Sequence, residues 1–161
     1  MATQLKSNSK YSEAEWTARQ ELAACYRIFS MFGWDELVFN HITVKVPDEE
    51  GAFLINPYGM HFGEITASSL IKIDIDGNKI DVDNPWHVNK AGFVQHSLFH
   101  RTLPDAHAII HTHTTATVAV CGLEGGLHPV NFYACNFAGQ LAYHDFEGVT
   151  VREHMRAHRV K

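Results

Sequence analysis

Cysteine is scarce. Cys25, Cys121 and Cys135 are the three in 161 residues, an odd number with no CxxC pair. A disulfide framework is therefore excluded as the organising device, and a reducing, cytoplasmic setting is expected. Long apolar runs are missing as well: no stretch approaches the ~20 residues that cross a bilayer. The opening MATQLKSNSK is polar and lacks the apolar stretch of a secretory signal. Charged residues amount to 19%, the net charge is −5 with histidine neutral, and no basic block stands out. Nucleic acid and an anionic membrane surface are thus not expected partners. There is no GxxxxGK(S/T), no GxGxxG after a strand and no GxSxG elbow, which excludes the common phosphate cradles and the α/β-hydrolase arrangement.

What is present is a globular composition, 45% hydrophobic, of a length that suits one domain. Residues 1–11 read as a polar arm, and the domain is expected over 12–161. Ser12 and Glu15 have capping-box spacing, and Leu22, Cys25, Ile28, Phe29 and Phe32 recur at helical spacing up to a stop at Gly33. Ile42, Val44 and Val46 then alternate with polar residues, predicting a half-buried strand that ends at Pro47. Residues 52–56 read as a return strand. Ile71, Ile73 and Ile75 alternate again, and Asp76-Gly77-Asn78 supplies a turn into a hairpin arm through Ile80 and Val82. A helix is expected over 89–103, a strand over 106–113, a small apolar helix over 114–122 and a last helix near 152–159. One helix, a run of mostly antiparallel strands and then mixed elements predict a single layered α/β domain.

Histidine is abundant, at twelve. His111-Thr112-His113 is the sharpest local feature. On a strand, residues two apart face one side with Cα atoms ~6.6–7 Å apart, so two imidazoles can share one ion at ~2.0–2.1 Å. His96 and His100 are spaced as in a zincin helix, but Ser97 follows His96 where that motif has glutamate, which excludes the metalloprotease reading. One of the two is expected near the sheet and the other in solvent. His154 and His158 are expected on a solvated basic face beside Arg152, Arg156 and Arg159. Cys25 reads as a core residue.

Taken in order, several segments carry a family resemblance. They are Asn40-His41-Ile42-Thr43, Ile55-Asn56-Pro57-Tyr58-Gly59, Glu64-Ile65-Thr66-Ala67-Ser68-Ser69-Leu70, Ile73-Asp74-Ile75-Asp76-Gly77, Asn89-Lys90-Ala91-Gly92-Phe93 with His96, Leu103-Pro104-Asp105-Ala106, Ile110-His111-Thr112-His113-Thr114 and Ala142-Tyr143-His144-Asp145. Across about residues 16–150 the sequence resembles the class II aldolase/adducin family. The resemblance implies a three-layer α/β/α domain with a mainly antiparallel central sheet, assembled as a homotetramer. It implies a divalent metal, zinc, with His111 and His113 as two ligands. It also implies lyase chemistry, carbon–carbon cleavage through a metal-held enediolate, on a small anionic sugar or carboxylate substrate. Asn40, Asn56, Gly59 and Lys90 would then bind that substrate.

Two features depart from the family's enzymes. Counting back from His96, the glutamate that moves the proton in the sugar-phosphate aldolases falls on Gly92, which cannot transfer one. The string NKAGFVQHS is closer to the adducin branch, whose head domain is regarded as non-catalytic. The family's third histidine, in an Asn-His-Gly segment, would lie beyond Lys161, so a C-terminally short domain holding its metal weakly is expected, with His96 or a water to complete the shell. The alternatives are a non-catalytic adducin-like self-association domain, or an inactive truncated member.

Overall fold

A computed structural model describes residues 10–144, the side chains of Lys90 and Ala91 excepted. Residues 1–9 of the expected 1–11 arm, the helix near 152–159, and His154 and His158 lie outside the described residues. The elements run α1 (Glu13–Met31), β1 (His41–Lys45), β2 (Ala52–Ile55), a 3-10 turn (Phe62–Glu64), β3 (Ile71–Asp74), α2 (Lys90–Thr102), β4 (Ala108–His111), α3 (Thr115–Cys121) and α4 (Phe132–Cys135).

The expected cap starts α1: Ser12 Oγ accepts the Glu15 N–H at 3.1 Å, with Glu13 and Glu15 in the positive-dipole first turn. Its buried stripe is Glu15, Ala18, Arg19, Leu22, Ala23 and Tyr26. That stripe is rotated from the one expected by spacing: Leu22 is core, but Ile28 and Phe32 are exposed. The rotation follows from pairing, because two charged residues go inward together. Arg19 Nε bonds Glu15 Oε1 at 2.8 Å, Lys72 Nζ reaches Glu15 Oε2 at 2.9 Å, and Arg19 donates to Leu70 O at 2.8 Å. These bonds fasten α1 to β3, and burial of the pair is tolerable because each charge keeps its partners.

The sheet has the order β3-β2-β1-β4, every pair antiparallel. Register decides what each face carries. Ile42, Leu54 and Ala52 pack with Leu22 and Tyr26 of α1, whereas Phe53, Ile55, Ile71 and Ile73 pack with Phe93 of α2. Period-2 alternation thus sorts one sheet into two apolar faces with a helix on each, and β2, between its neighbours, is buried at all four positions. This is the expected α/β/α layering around an antiparallel sheet.

Two local expectations need correction, and one further element is found. The hairpin arm beyond Gly77 does not form a strand: one bridge, Ile73 to Lys79, closes it, and Val82 is 77% exposed. The Asp81 carboxylate turns in and accepts the Lys72 N–H at 3.1 Å, taking the donor that a continuing ladder would need. The strand expected over 106–113 is shorter, at Ala108–His111, because the His113 N–H goes to the Asn40 side chain at 3.0 Å instead of to a strand. The short α4 was not anticipated; Asn131 Oδ1 caps it by accepting the Ala134 N–H at 2.9 Å. Among the described residues no helix is long and apolar enough to cross a membrane.

Candidate metal centre

The site is assembled by the β1–β4 ladder. His41 lies directly across from His111, and Thr43 across from Ile109, so the side chains of His41, Thr43 and His111 share the sheet face that α2 covers. The His41 and His111 rings are parallel within 9°, with centroids 4.8 Å apart. His113 stands past the end of β4, yet its Nε2 comes to 2.8 Å from His111 Nε2. The two histidines singled out by spacing are therefore brought together, although one of them has left the strand.

The loop before β1 fixes His113. Asn40 Oδ1 accepts the His113 N–H, and Asn40 Nδ2 donates to Trp34 O at 3.0 Å. Phe39 stacks on the His113 ring at 5.9 Å and 1°. The Glu36 carboxylate lies 3.5 Å from His113 Nδ1. A carboxylate on that side favours a proton at Nδ1 and leaves Nε2 as the lone-pair nitrogen facing His111, the usual arrangement behind a metal-bound imidazole.

This donor set fits a divalent cation as two ligands. Two imidazole nitrogens on one tetrahedral ion at ~2.0–2.1 Å would be ~3.4 Å apart, so the observed pair opens by about half an ångström to admit it. Among the described residues no group of three or more histidine, cysteine, aspartate or glutamate side chains converges into a full shell. His96, the expected third donor, is turned away. Its Nε2 lies 3.0 Å from His41 Nδ1 and its Nδ1 lies 2.6 Å from Thr43 Oγ1.

The expectation that one of His96 and His100 is solvated also fails, for both are buried. His100 Nε2 lies 2.9 Å from Thr43 Oγ1 and its Nδ1 lies 3.0 Å from Ala106 O. A line of polar contacts thus runs from α2 under the sheet to the paired histidines. Burial and the neighbouring imidazoles of His111 and His113 lower the His41 pKa from 6.5 to about 3. Burial, with His41, His100 and His111, lowers His96 to about 2. Burial, with Lys45 opposing the donated bond to Ala106 O, brings His100 to about 4. All three are neutral at pH 7.

Asn56 is buried, with Oδ1 2.9 Å from the Tyr26 hydroxyl, which itself accepts the Ile42 N–H at 2.8 Å. It therefore braces β1 next to His41. Gly59 adopts φ +80 in the turn after Pro57, a conformation suited to glycine. Lys90 opens α2. Gly92, in the first turn of α2, has no room for a side chain: an added Cβ would lie 2.5 Å from His41 Cδ2 and 2.6 Å from His41 Nε2. Sequence reasoning passed over His41, Thr43 and Glu36. The signal available was the identical parity of His41 and His111 on two apolar strands, which needs the pairing register to be read.

A two-helix-covered antiparallel sheet with an HxH pair at the end of its edge strand defines an α/β domain of the aldolase type. The chain belongs to the class II aldolase and adducin N-terminal domain family, whose model matches residues 20–160. It is 50% identical over 142 residues to a Caulobacter vibrioides protein assigned to aldolase class 2, covering 88% of this chain and 55% of that one. It is 42% identical over 144 residues to alpha-adducin of Rattus norvegicus, covering 89% of this chain and 20% of adducin. The solved L-fuculose 1-phosphate aldolase of Glaciozyma antarctica superposes with a TM-score of 0.72 at 32% identity, covering 83% of this chain and 55% of that one. The chain thus spans little more than half of the Caulobacter and Glaciozyma relatives and a fifth of adducin.

Proposed function

We propose that this domain binds a divalent cation, zinc, through His111 and His113 and belongs to a carbon–carbon lyase of the class II aldolase type, acting on a small anionic sugar or carboxylate. The observation that carries this reading is the approach of the two Nε2 atoms to 2.8 Å, with Glu36 behind His113. A cation bound there supplies Lewis-acid stabilisation of negative charge developing on substrate oxygens. The chain's own residues position and shield: Asn40 holds the His113 backbone, Asn56 braces β1, and α2 covers His41, the neighbour of His111. Asn40, Asn56, Gly59 and Lys90 are the proposed substrate-binding residues. The two-histidine set holds the metal weakly, and Gly92 provides no proton-transfer group, so sugar-phosphate cleavage by this chain is slow.

A second reading, a non-catalytic adducin-like self-association domain, is favoured by Gly92 and by exposed apolar groups beyond β4. Val118, Phe132, Tyr133 and Phe137 are 50–79% exposed, more than a small monomer usually leaves in one region. Both readings make the protein a homotetramer. The free thiols of Cys25, Cys121 and Cys135 are in keeping with a cytoplasmic setting. The test is metal content after purification without added metal, with light scattering on the same preparation. Substoichiometric zinc that rises on reloading, in a fourfold assembly, is expected. A protein that takes up no divalent metal at any loading would overturn the first reading in favour of the second.

A further inference from the structure

The buried imidazoles form a hydrogen-bonded line with one possible direction. It is anchored at Ala106 O, a pure acceptor, 3.0 Å from His100 Nδ1. His100 must donate there from Nδ1, so its Nε2, neutral, accepts. The Thr43 hydroxyl, 2.9 Å from that nitrogen, therefore donates its one proton to it. Thr43 Oγ1 is then the acceptor for His96 Nδ1–H at 2.6 Å. His96 Nε2 is left as an acceptor and takes the proton of His41 Nδ1–H at 3.0 Å. Each step fixes the next tautomer, and the line ends with His41 Nε2 as a bare lone pair.

That nitrogen has a definite location. It belongs to the ring edge that would lie 2.5–2.6 Å from a Cβ at position 92, and the ring lies parallel to His111. His41 is 4% exposed, and among the described residues its Nε2 makes no hydrogen bond. An acceptor that the protein's own bonds leave without a donor can take one from a ligand. We infer that His41 Nε2 is a hydrogen-bond acceptor for a hydroxyl of the bound ligand, standing where a side chain at position 92 would otherwise be. Gly92 and His41 are then a complementary pair: the first has no side chain because the second fills its place. The acceptor selects a hydroxyl-bearing ligand over one of the same charge that lacks the hydroxyl. The inference rests on the proposed site for the ligand's location, but the tautomer rests on the protein's own bonds and is read without metal.

The experiment is long-range proton–nitrogen correlation NMR on metal-free, nitrogen-15-labelled protein at pH 7.5, His41 being assigned from His41→Gln. The expected pattern for His41 is a protonated Nδ1 and an unprotonated Nε2. Thr43→Ser retains it, and Thr43→Val, which breaks the line, gives a mixture of tautomers. Glycolate and acetate are then titrated into the same sample and into zinc-loaded protein. Glycolate is expected to shift the His41 Nε2 resonance and to bind about fivefold more tightly than acetate, the margin of one net hydrogen bond. An Nε2-protonated His41 in the unsubstituted protein, or equal binding of the two anions, overturns the inference. Failure of zinc to bind with the tautomer intact would count against the metal reading alone.

Discussion

Acidification should destabilise this fold steeply, and the effect can be worked from His96 and His100. Each has an ordinary value of 6.5 in the unfolded chain, and folding lowers these to about 2 and about 4. Below pH 6.5 the unfolded state therefore binds protons that the folded state refuses. Stability is fully present above 6.5 and is lost as the pH falls from there towards the folded values. Each imidazole contributes a slope of about 1.4 kcal/mol per pH unit within that window. Between pH 7.5 and pH 5 the two together remove about 4 kcal/mol, a large part of the ~5–15 kcal/mol typical of a domain. His41, lowered by the same burial, steepens the slope further. The assay is urea unfolding followed by far-ultraviolet circular dichroism at a series of pH values, with chelator present so that metal release adds nothing. His100→Asn, which cannot titrate, should reduce the slope by about 1.4 kcal/mol per pH unit. Stability that is flat from pH 7 to pH 5 would refute the placement of these imidazoles in a dry interior.

Three further outcomes are expected. Gly92→Glu should lower stability by about 1–3 kcal/mol through overpacking against the His41 ring, and His41→Val should recover most of that loss in the double variant; additive losses in thermal melts would argue against the shared volume. Arg19→Ala should cost about 3–5 kcal/mol, since it leaves Glu15 buried without its nearest partner; a loss under about 1 kcal/mol in urea titrations would show that the network is solvated. Retro-aldol cleavage of fuculose, rhamnulose or ribulose phosphates should be slower than in family enzymes by about 10²–10⁴-fold, the usual contribution of general acid–base catalysis; brisk turnover by the purified chain would require another base, with Tyr58 and His61 tested first.

The parts of this molecule that could be read from its sequence are those set by local rules. The Ser12 cap, the 90–102 helix and the alternation around Ile42 and Ile71 depend on neighbours a few residues away, and they stand close to where spacing puts them. The approach of His111 to His113 is legible for the same reason, the two being two residues apart. The α1 stripe was misread because Glu15 and Arg19 are charged, and their inward turn depends on Lys72 and Leu70, far along the chain. The polar line beneath the sheet was hidden by distance of another kind. His96 and His100 look like an ordinary helical pair until Thr43, more than fifty residues earlier, is placed between them by strand register. Gly92 was noticed for the carboxylate it lacks. That His41 fills the same volume is a fact of packing between a strand and a helix, which no spacing rule encodes.

The central claim, that His111 and His113 form the metal site, is tested most directly by calorimetric titration of zinc into the folded chain, alongside His111→Ala and His113→Ala checked for intact secondary structure. The expected result is one weak site per chain that disappears in both variants. Tight one-to-one binding unchanged by removal of His111 would contradict it, and the metal assignment would fall with it.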